Sequence, residues 1–268
     1  MSAAGEALTP RILVCEDDDF KVEHAINPWM HPDLAKPEVA RGQWYKMLDV
    51  LKQHVDIETA RFPMNAPDEI FWTRDAYSLI EGTIVLANFK KPERQGETDF
   101  WRQWFAKEGY QTVESPATLE GGNVIEHGGV YYVGTGYRAG ADDCKRLSDY
   151  FGAEFVGLPV TSDDYFHLDV AMLTVGDRAL YYPAAFTPEA REILSDRLPG
   201  AVELNAEEAA GFCANSIAVG DTVFTSSHQP SFEEKLAGIG KTAIAVDLSA
   251  FKAIGGGGIH CLTNTLPA

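Results

Sequence analysis

The chain has 268 residues, 45% of them hydrophobic, which is enough apolar sequence to bury a large core. Its formal net charge is −18 and its isoelectric point is near 4.7. Nucleic acids and anionic membranes bind clustered Lys and Arg, so this composition argues against both partners. A cationic small molecule suits such a surface better, although the acidity could equally serve solubility alone.

The cellular location is predicted from the N-terminus and the cysteines. The N-terminus lacks the basic region and the apolar run of a secretory signal, and no stretch is long and apolar enough to span a membrane. The four cysteines, Cys15, Cys144, Cys213 and Cys261, are widely spaced and form no CxxC pair. This spacing does not fit a zinc ribbon or a thioredoxin motif and favours a reduced, cytoplasmic protein.

The first predicted elements in chain order are a strand at 12–17, a helix at 41–54 and a strand at 55–60. After them, a unit of two strands joined by a tight polar turn, a helix and a short strand recurs four times. The hairpins are predicted at 77–89, 123–136, 169–183 and 215–227, the helices at 97–109, 140–152, 187–198 and 231–239, and the short strands at 112–116, 154–160, 201–205 and 243–248. The turns EGT, HGG, GDR and GDT contain the Gly and Asp that two-residue hairpins prefer.

The second strands of these hairpins begin at intervals of about 44 to 48 residues, and self-similarity at such a period predicts a repeat architecture. The N-terminal elements would form a fifth unit, with the C-terminal GGGGIHCLTN segment closing a ring. We therefore predict a five-bladed α/β propeller that forms one domain over residues 1–268, with a flexible N-terminus at 1–10. The alternative is an ordinary α+β domain whose periodicity arises by chance.

Cys261 is the candidate nucleophile, because it follows four consecutive glycines at 255–258. A glycine run loses entropy on ordering and is favoured where the backbone needs a positive φ or must approach another group closely. A cysteine just beyond such a run can be held with its sulfur facing a cavity. The alternative is a small buried hydrophobic residue beside a glycine loop.

His167, in DDYFHLDVAM, is the candidate acid–base partner of this cysteine. It is predicted to begin a hairpin strand, with Asp169 two residues later on the same face. Such a pair could protonate a leaving amine while the carboxylate binds a cation; the alternative is a solvated strand face. His260, next to Cys261, would point to the opposite face if its segment were a strand, and is therefore a weaker candidate.

Two further carboxylates lie where burial is expected. Glu120 precedes the two glycines that open the second hairpin, and Asp75 lies in an apolar run beside Arg74. Because a buried carboxylate is costly unless it is paired, either position suggests a partner. Carboxylates that converge from equivalent repeat positions on one cavity would bind a planar guanidinium through bidentate hydrogen bonds. Alternatively, Arg74 and Asp75 form only an ion pair or a turn.

Four motifs resemble, in order and spacing, those of the guanidino-group-modifying enzymes of the pentein superfamily. They are FWTRD (71–75), LEGGN (119–123), FHLD (166–169) and GGGIHCLT (256–263). This superfamily includes arginine deiminases, dimethylarginine dimethylaminohydrolases and amidinotransferases. The resemblance covers nearly the whole chain and implies a five-bladed α/β propeller with a covalent mechanism that uses neither metal nor cofactor.

The resemblance also implies a role for each candidate residue. Cys261 is expected to form a thiouronium intermediate, and His167 to act first as acid for the leaving amine and then as base for water. Glu120 is expected to orient His167, while Asp75 and Asp169 are expected to clamp the guanidinium.

Two arginines are candidates for contact with a substrate carboxylate. Arg138, in VGTGYRAG, resembles the arginine that binds this group in the amino-acid-specific members, and Arg94, in KKPERQGET, is a second candidate. Without these contacts, a carboxylate-free substrate such as agmatine fits better. The size of the chain resembles that of the methylarginine hydrolases, whereas TRD and HLD look more like arginine deiminases, and WTRD with GGGGIHC is similar to agmatine deiminases.

We therefore predict cysteine-dependent hydrolysis of arginine or an Nω-methylated arginine at the guanidino carbon, giving citrulline and ammonia or a methylamine. The alternatives are an amidinotransferase or an agmatine deiminase-like enzyme with the same site and, from another class, a non-catalytic binding propeller. The expected partner is the small guanidino substrate, and a homodimer is compatible with the sequence.

Overall fold

The computed structural model describes residues 11–18 and 20–267, so the predicted flexible segment at 1–10 lies outside the described residues. The strands run in chain order as β1 (Arg11–Glu16), β2 (Asp56–Arg61), β3 (Tyr77–Ile80), β4 (Thr83–Leu86), β5 (Thr112–Glu114), β6 (Val124–His127), β7 (Val130–Thr135), β8 (Glu154–Pro159), β9 (Met172–Val175), β10 (Arg178–Tyr181), β11 (Val202–Glu203), β12 (Ile217–Val219), β13 (Thr222–Thr225), β14 (Thr242–Ala245) and β15 (Thr263–Thr265). The α-helices are α1 (Pro37–Leu51), α2 (Glu97–Lys107), α3 (Ala141–Phe151), α4 (Pro188–Arg197), α5 (Ala206–Ala210), α6 (Pro230–Gly238) and α7 (Ser249–Gly255).

These strands form five three-stranded sheets, which are the blades of the predicted α/β propeller. In four blades an antiparallel hairpin is followed by a helix and a third strand that runs parallel to the second: β3-β4-β5, β6-β7-β8, β9-β10-β11 and β12-β13-β14. In the remaining blade, β15 takes the place of the first hairpin strand. It pairs antiparallel with β1, which in turn pairs parallel with β2. The C-terminal segment closes the ring, as predicted.

The tight hairpin turns follow from local backbone chemistry. Glu81 and Gly82 have φ values of +48° and +73°, and Gly128 and Gly129 have +62° and +81°. Two consecutive positive φ values are what a type I′ turn requires, and its twist matches that of the flanking strands. The hairpins predicted around EGT and HGG are therefore confirmed.

The helix predictions hold, with the first helix shifted toward the N-terminus and with two additions. α1 begins at Pro37 rather than at 41, because proline is preorganised for the first helical turn. α5 and α7 are short helices beyond the predicted elements. α5 begins with a capping box, in which Asn205 and Glu208 satisfy each other's backbone N–H groups.

Aromatic side chains pack closely around the C-terminal glycine run. Phe20 packs edge-on against Phe251 with ring centroids 5.4 Å apart, and Trp72 packs against Phe251 at 5.9 Å. The ring of Trp72 also lies against Gly255 and Gly257, where any Cβ would overlap it. Glycine is therefore required at these positions by close approach.

The first strand of each blade lines the axis of the ring. A cavity of about 450 Å³ opens along this axis at one end; we call it the rear cavity. The sequence motifs meet at the opposite end. No helix described within residues 11–18 and 20–267 is long and apolar enough to cross a bilayer.

Candidate active site

Three motifs form short 3-10 turns just before the first strand of a blade. Thr73–Ala76 precedes β3, Gly121–Asn123 precedes β6 and Leu168–Val170 precedes β9, while Cys261 precedes β15. Equivalent blade positions thus bring the candidate residues together. A small cavity of about 20 Å³, the front cavity, is lined by five of the seven candidates, Asp75, Arg94, Arg138, His167 and Cys261, and by Phe166 among other residues.

Cys261 is buried and its sulfur has two polar neighbours. Asn215 Nδ2 donates to Sγ at 3.0 Å, and Sγ lies 3.3 Å from Asp169 Oδ2. Burial, followed by the negative charges of Asp169 and Asp75, raises the pKa of the Cys261 thiol well above its ordinary value. The unliganded site therefore holds a neutral thiol.

His167 is almost fully buried between two carboxylates. Its Nε2 lies 2.6 Å from Glu120 Oε2, and its Nδ1 lies 3.3 Å from Asp75 Oδ1. Burial disfavours the charged form of Glu120, but the hydrogen bond with His167 and the charge of Arg138 outweigh it and lower the pKa of Glu120 to about 2. The ionised Glu120 thus holds Nε2 as a donor, which leaves Nδ1 on the side of the front cavity.

The prediction that His167 and Asp169 share one face of a strand is wrong. His167 is extended and precedes the 3-10 turn that contains Asp169, and the strand begins only at Met172. The turn sends the two side chains to different partners. His167 meets Glu120 and Asp75, whereas Asp169 meets the nucleophile.

Asp169 is fully buried, and its two carboxylate oxygens differ. Oδ2 lies 2.8 Å from His260 Nδ1 and 3.3 Å from Cys261 Sγ. Oδ1 has no hydrogen-bond partner among the described residues. Although burial opposes ionisation, the hydrogen bond from His260 and the positive charge of Arg74 lower the pKa of Asp169.

Arg94 is bound to carboxylates in the structure. Its Nε and Nη2 donate to Glu97 at 2.6 and 2.9 Å, and its Nη1 contacts Asp75 Oδ2. Asp75 is therefore held between Arg94 and His167. Arg94 lines the front cavity, but much of its donor capacity is already used by Glu97 and Asp75.

Arg138 also lines the front cavity. Its Nη1 donates to Glu120 Oε2 at 3.2 Å, and its guanidinium lies 5.0 Å from the centre of the Phe166 ring. Because only Nη1 is used for Glu120, the other N–H groups of the Arg138 guanidinium are available to a ligand anion.

Three further residues belong to this site: Asn215 and Glu97, which were not predicted, and His260, which was only a weaker candidate. Asn215 occupies the turn before β12, the same blade position as Asp75 and Asp169, so the repeat itself carried a signal for it. The expectation for His260 depended on a strand, but residues 259–262 form a turn, and His260 reaches Asp169. Glu97 begins α2, and no local pattern distinguishes it from a surface carboxylate.

The sequence matches a known family and characterised relatives. The model of the family described as N,N dimethylarginine dimethylhydrolase, eukaryotic, matches residues 13–267. The bifunctional arginine dihydrolase/ornithine cyclodeaminase ArgZ of Synechocystis sp. is 30% identical over 263 residues, covering 94% of this chain and 37% of that protein. The N(G),N(G)-dimethylarginine dimethylaminohydrolase of Mycobacterium tuberculosis is 29% identical over 252 residues, covering 91% and 82%. The chain thus spans little more than a third of the bifunctional relatives' length.

Solved structures show the same architecture. The N-terminal domain of ArgZ, as a cysteine-to-serine mutant bound to substrate, has a TM-score of 0.90 and 27% identity, covering 96% of this chain and 98% of that domain. The dimethylarginine dimethylaminohydrolase of Pseudomonas aeruginosa, complexed with citrulline, has a TM-score of 0.76 and covers 96% and 99%; at 19% identity, this likeness concerns the fold alone.

Proposed function

The chain belongs to the N,N-dimethylarginine dimethylhydrolase family, and on that premise we propose that it hydrolyses arginine or an Nω-methylated arginine at the guanidino carbon. The products are citrulline and ammonia or a methylamine. One observation carries the proposal: the Cys261 sulfur lies beside the buried carboxylate of Asp169, whose Oδ1 lacks a partner among the described residues. A guanidinium supplies the planar N–H donors that such an oxygen needs, and it brings its carbon to the sulfur.

The relatives support this substrate class by name. One is an arginine dihydrolase, and its N-terminal domain has been solved with substrate and with product. Another acts, by its name, on dimethylarginine. Both names describe C–N hydrolysis of a guanidino group, which is the chemistry we propose for this chain.

In the proposed complex, Asp169 and Asp75 bind the guanidinium from two sides. Its positive charge offsets the two carboxylates that raise the pKa of Cys261, so substrate itself promotes the thiolate. The thiol proton then passes to His167, the available base. Substrate binding and nucleophile activation are thereby coupled.

The covalent steps follow from this arrangement. The thiolate adds to the guanidino carbon, and the tetrahedral adduct expels ammonia or a methylamine as His167 donates a proton to the departing nitrogen. A thiouronium bound to Cys261 remains. His167 next takes a proton from water, whose oxygen adds to the same carbon. The C–S bond then breaks, giving the ureido product and free Cys261.

Arg138 is the residue we propose for the substrate carboxylate. Its guanidinium retains donors beyond the bond to Glu120, and it lines the front cavity. Arg94, whose donors serve Glu97 and Asp75, would contribute mainly by fixing Asp75. The front cavity of about 20 Å³ holds little more than one water molecule, so its lining must move outward to admit an amino acid.

Product analysis tests the proposed function. Purified wild type and Cys261→Ser are incubated separately with arginine, Nω,Nω-dimethylarginine and agmatine, and ureido product, ornithine and released amine are measured. We expect turnover of arginine or its dimethyl derivative by the wild type and none by the variant. Turnover of agmatine alone would contradict the role of Arg138, and product that forms only when an acceptor amine is added would indicate amidinotransfer.

Three wider expectations are retained as proposals: one domain over residues 1–268, a cytoplasmic location and a homodimer. All four cysteines are unpaired, which is compatible with a reducing compartment. Limited proteolysis, fractionation and light scattering test the three expectations in turn.

A further inference from the structure

The two cavities on the ring axis are separated by a thin wall in which adjacent residues face opposite sides. Asp75 lines the front cavity and Arg74 the rear; Cys261 lines the front cavity and His260 the rear. Arg74 N donates to Cys261 O at 3.0 Å and joins the two halves of the wall. Residues next to the nucleophile thus line a cavity other than the one that Cys261 lines.

His260 crosses this wall to reach the guanidinium-binding carboxylate. Its Nδ1 lies 2.8 Å from Asp169 Oδ2; its side chain is 15% exposed, against 1% for Asp169. Burial and the nearby charge of Arg74 lower the pKa of His260, whereas the pKa of Asp169 is lowered by its hydrogen bond with His260. A neutral imidazole that donates Nδ1–H to an ionised carboxylate is consistent with the lowered pKa of both groups.

We propose that His260 is a positioning residue for guanidinium capture: from the rear cavity, its Nδ1–H holds Asp169 Oδ2 and thereby turns Oδ1 toward the substrate. The proposal rests on the proposed function, since Asp169 is there the carboxylate that binds the guanidinium. Without the donor, the carboxylate is free to rotate about its Cβ–Cγ bond. It also loses the largest of the interactions that favour its ionised form, the hydrogen bond from His260.

Two variants distinguish the effect of the N–H donor of His260 from the effect of its imidazole ring. His260→Asn keeps an N–H donor on a short side chain that can reach Asp169, whereas His260→Leu fills similar space without one. Both are made in the full chain, and circular dichroism checks that they fold. Thr174→Val serves as a matched control, because Thr174 lines the rear cavity on β9.

The readout is alkylation of Cys261 by two reagents with the same leaving group. 2-Chloroacetamidine is a cation that needs the carboxylate, and 2-chloroacetamide is its neutral counterpart. We expect the ratio of their second-order rate constants to fall about tenfold or more in His260→Leu, the effect of one hydrogen bond to a charged group. The ratio should stay within about twofold of wild type in His260→Asn and Thr174→Val.

A pH profile adds a second readout. The acid limb of alkylation by the amidine should move to higher pH in His260→Leu, because the carboxylate that binds the cation becomes easier to protonate. The proposal would be overturned if the ratio of amidine to amide rate constants were unchanged in His260→Leu, or if it fell as far in His260→Asn as in His260→Leu. Absence of guanidine turnover by a wild type that still prefers the amidine would count against the proposed function alone.

Discussion

Asn215 makes two hydrogen bonds with Cys261 and a third with the glycine run before it, and together they set the position and the electrostatics of the sulfur. Asn215 Nδ2 donates to Cys261 Sγ at 3.0 Å, while Asn215 Oδ1 accepts from the backbone N of Cys261 at 3.3 Å and of Gly258 at 2.8 Å. One amide therefore pins the glycine run and also offers a donor to the thiolate. The hydrogen bond to sulfur favours the thiolate and so acts to lower the pKa of Cys261. Burial and the charge of Asp169 have larger effects, and the pKa is raised overall.

Asn215→Ala should reduce kcat/KM by about 10- to 100-fold, the range for loss of a hydrogen bond to a charged group. Steady-state kinetics with the preferred guanidino substrate measure this loss. Asn215→Asp keeps the acceptor for the two backbone N–H groups but places a carboxylate near the sulfur, so its loss should be larger. Activity of Asn215→Ala within twofold of wild type would show that the contact to sulfur does not matter.

The thiol of Cys261 should resist neutral alkylating reagents at neutral pH. Because burial and then Asp169 raise its pKa, labelling by iodoacetamide should rise with a midpoint above about 9 in the unliganded chain. Asp169→Asn removes one negative charge and should move this midpoint down. The measurement is the rate of labelling against pH, with peptide mapping to separate Cys261 from the other cysteines and Cys261→Ser as the blank. A wild-type midpoint at or below the ordinary value of a thiol would contradict the structure.

Gly122→Ala should disable the site while leaving the fold intact. A Cβ at this position would lie 2.5 Å from Asp75 Oδ1, 3.0 Å from His167 Nδ1 and 3.1 Å from Asp169 Oδ2. These three groups would have to move apart, and displacements of about 1 Å cost about 10²-fold in rate. The kinetics are measured together with the thermal midpoint.

Gly42→Ala is the matched control for that experiment. Gly42 lies within α1, and no heavy atom would lie within 4 Å of a Cβ there. We expect unchanged activity and a gain in stability of about 0.5–1 kcal/mol from helix propensity. If both variants lost activity equally, crowding at Gly122 would not be the cause.

Glu97→Gln should change how stability depends on pH. Burial raises the pKa of Glu97 to about 7, although Arg94 opposes the rise. The folded chain therefore keeps this proton to higher pH than the unfolded chain does. The stabilising contribution is full below the unfolded pKa of about 4.5 and is lost as pH rises through about 7.

A glutamine cannot titrate, so the stability of the wild type relative to Glu97→Gln should fall between about pH 5 and pH 8. Urea unfolding at several pH values in this range measures the difference. Parallel profiles for the two proteins would mean that Glu97 does not titrate there. Glu97→Asp, which still titrates but has a shorter reach to Arg94, tests whether the effect depends on the carboxyl group.

The fold was predictable because its determinants are local. Each hairpin turn carries residues that adopt positive φ, as Gly82, Gly128 and Gly129 do, and each unit repeats the same order of elements. A ring then follows, because a blade cannot bury both faces alone and stacks against its neighbours. The repeat also accounts for much of the site, since the motifs of Asp75, Glu120 and Asp169 lie in equivalent turns that meet at the axis.

The sequence by itself determined which chemical groups converge: a thiol, a histidine and several carboxylates, all just before the first strand of a blade. Only the tertiary structure decided how these groups pair. Asp169 and His260 are separated by 91 residues, and Asn215 and Cys261 by 46. Which carboxylate oxygen remains for a ligand depends on such contacts between blades, and hydrogen bonds over such separations leave no periodic or local pattern in the chain.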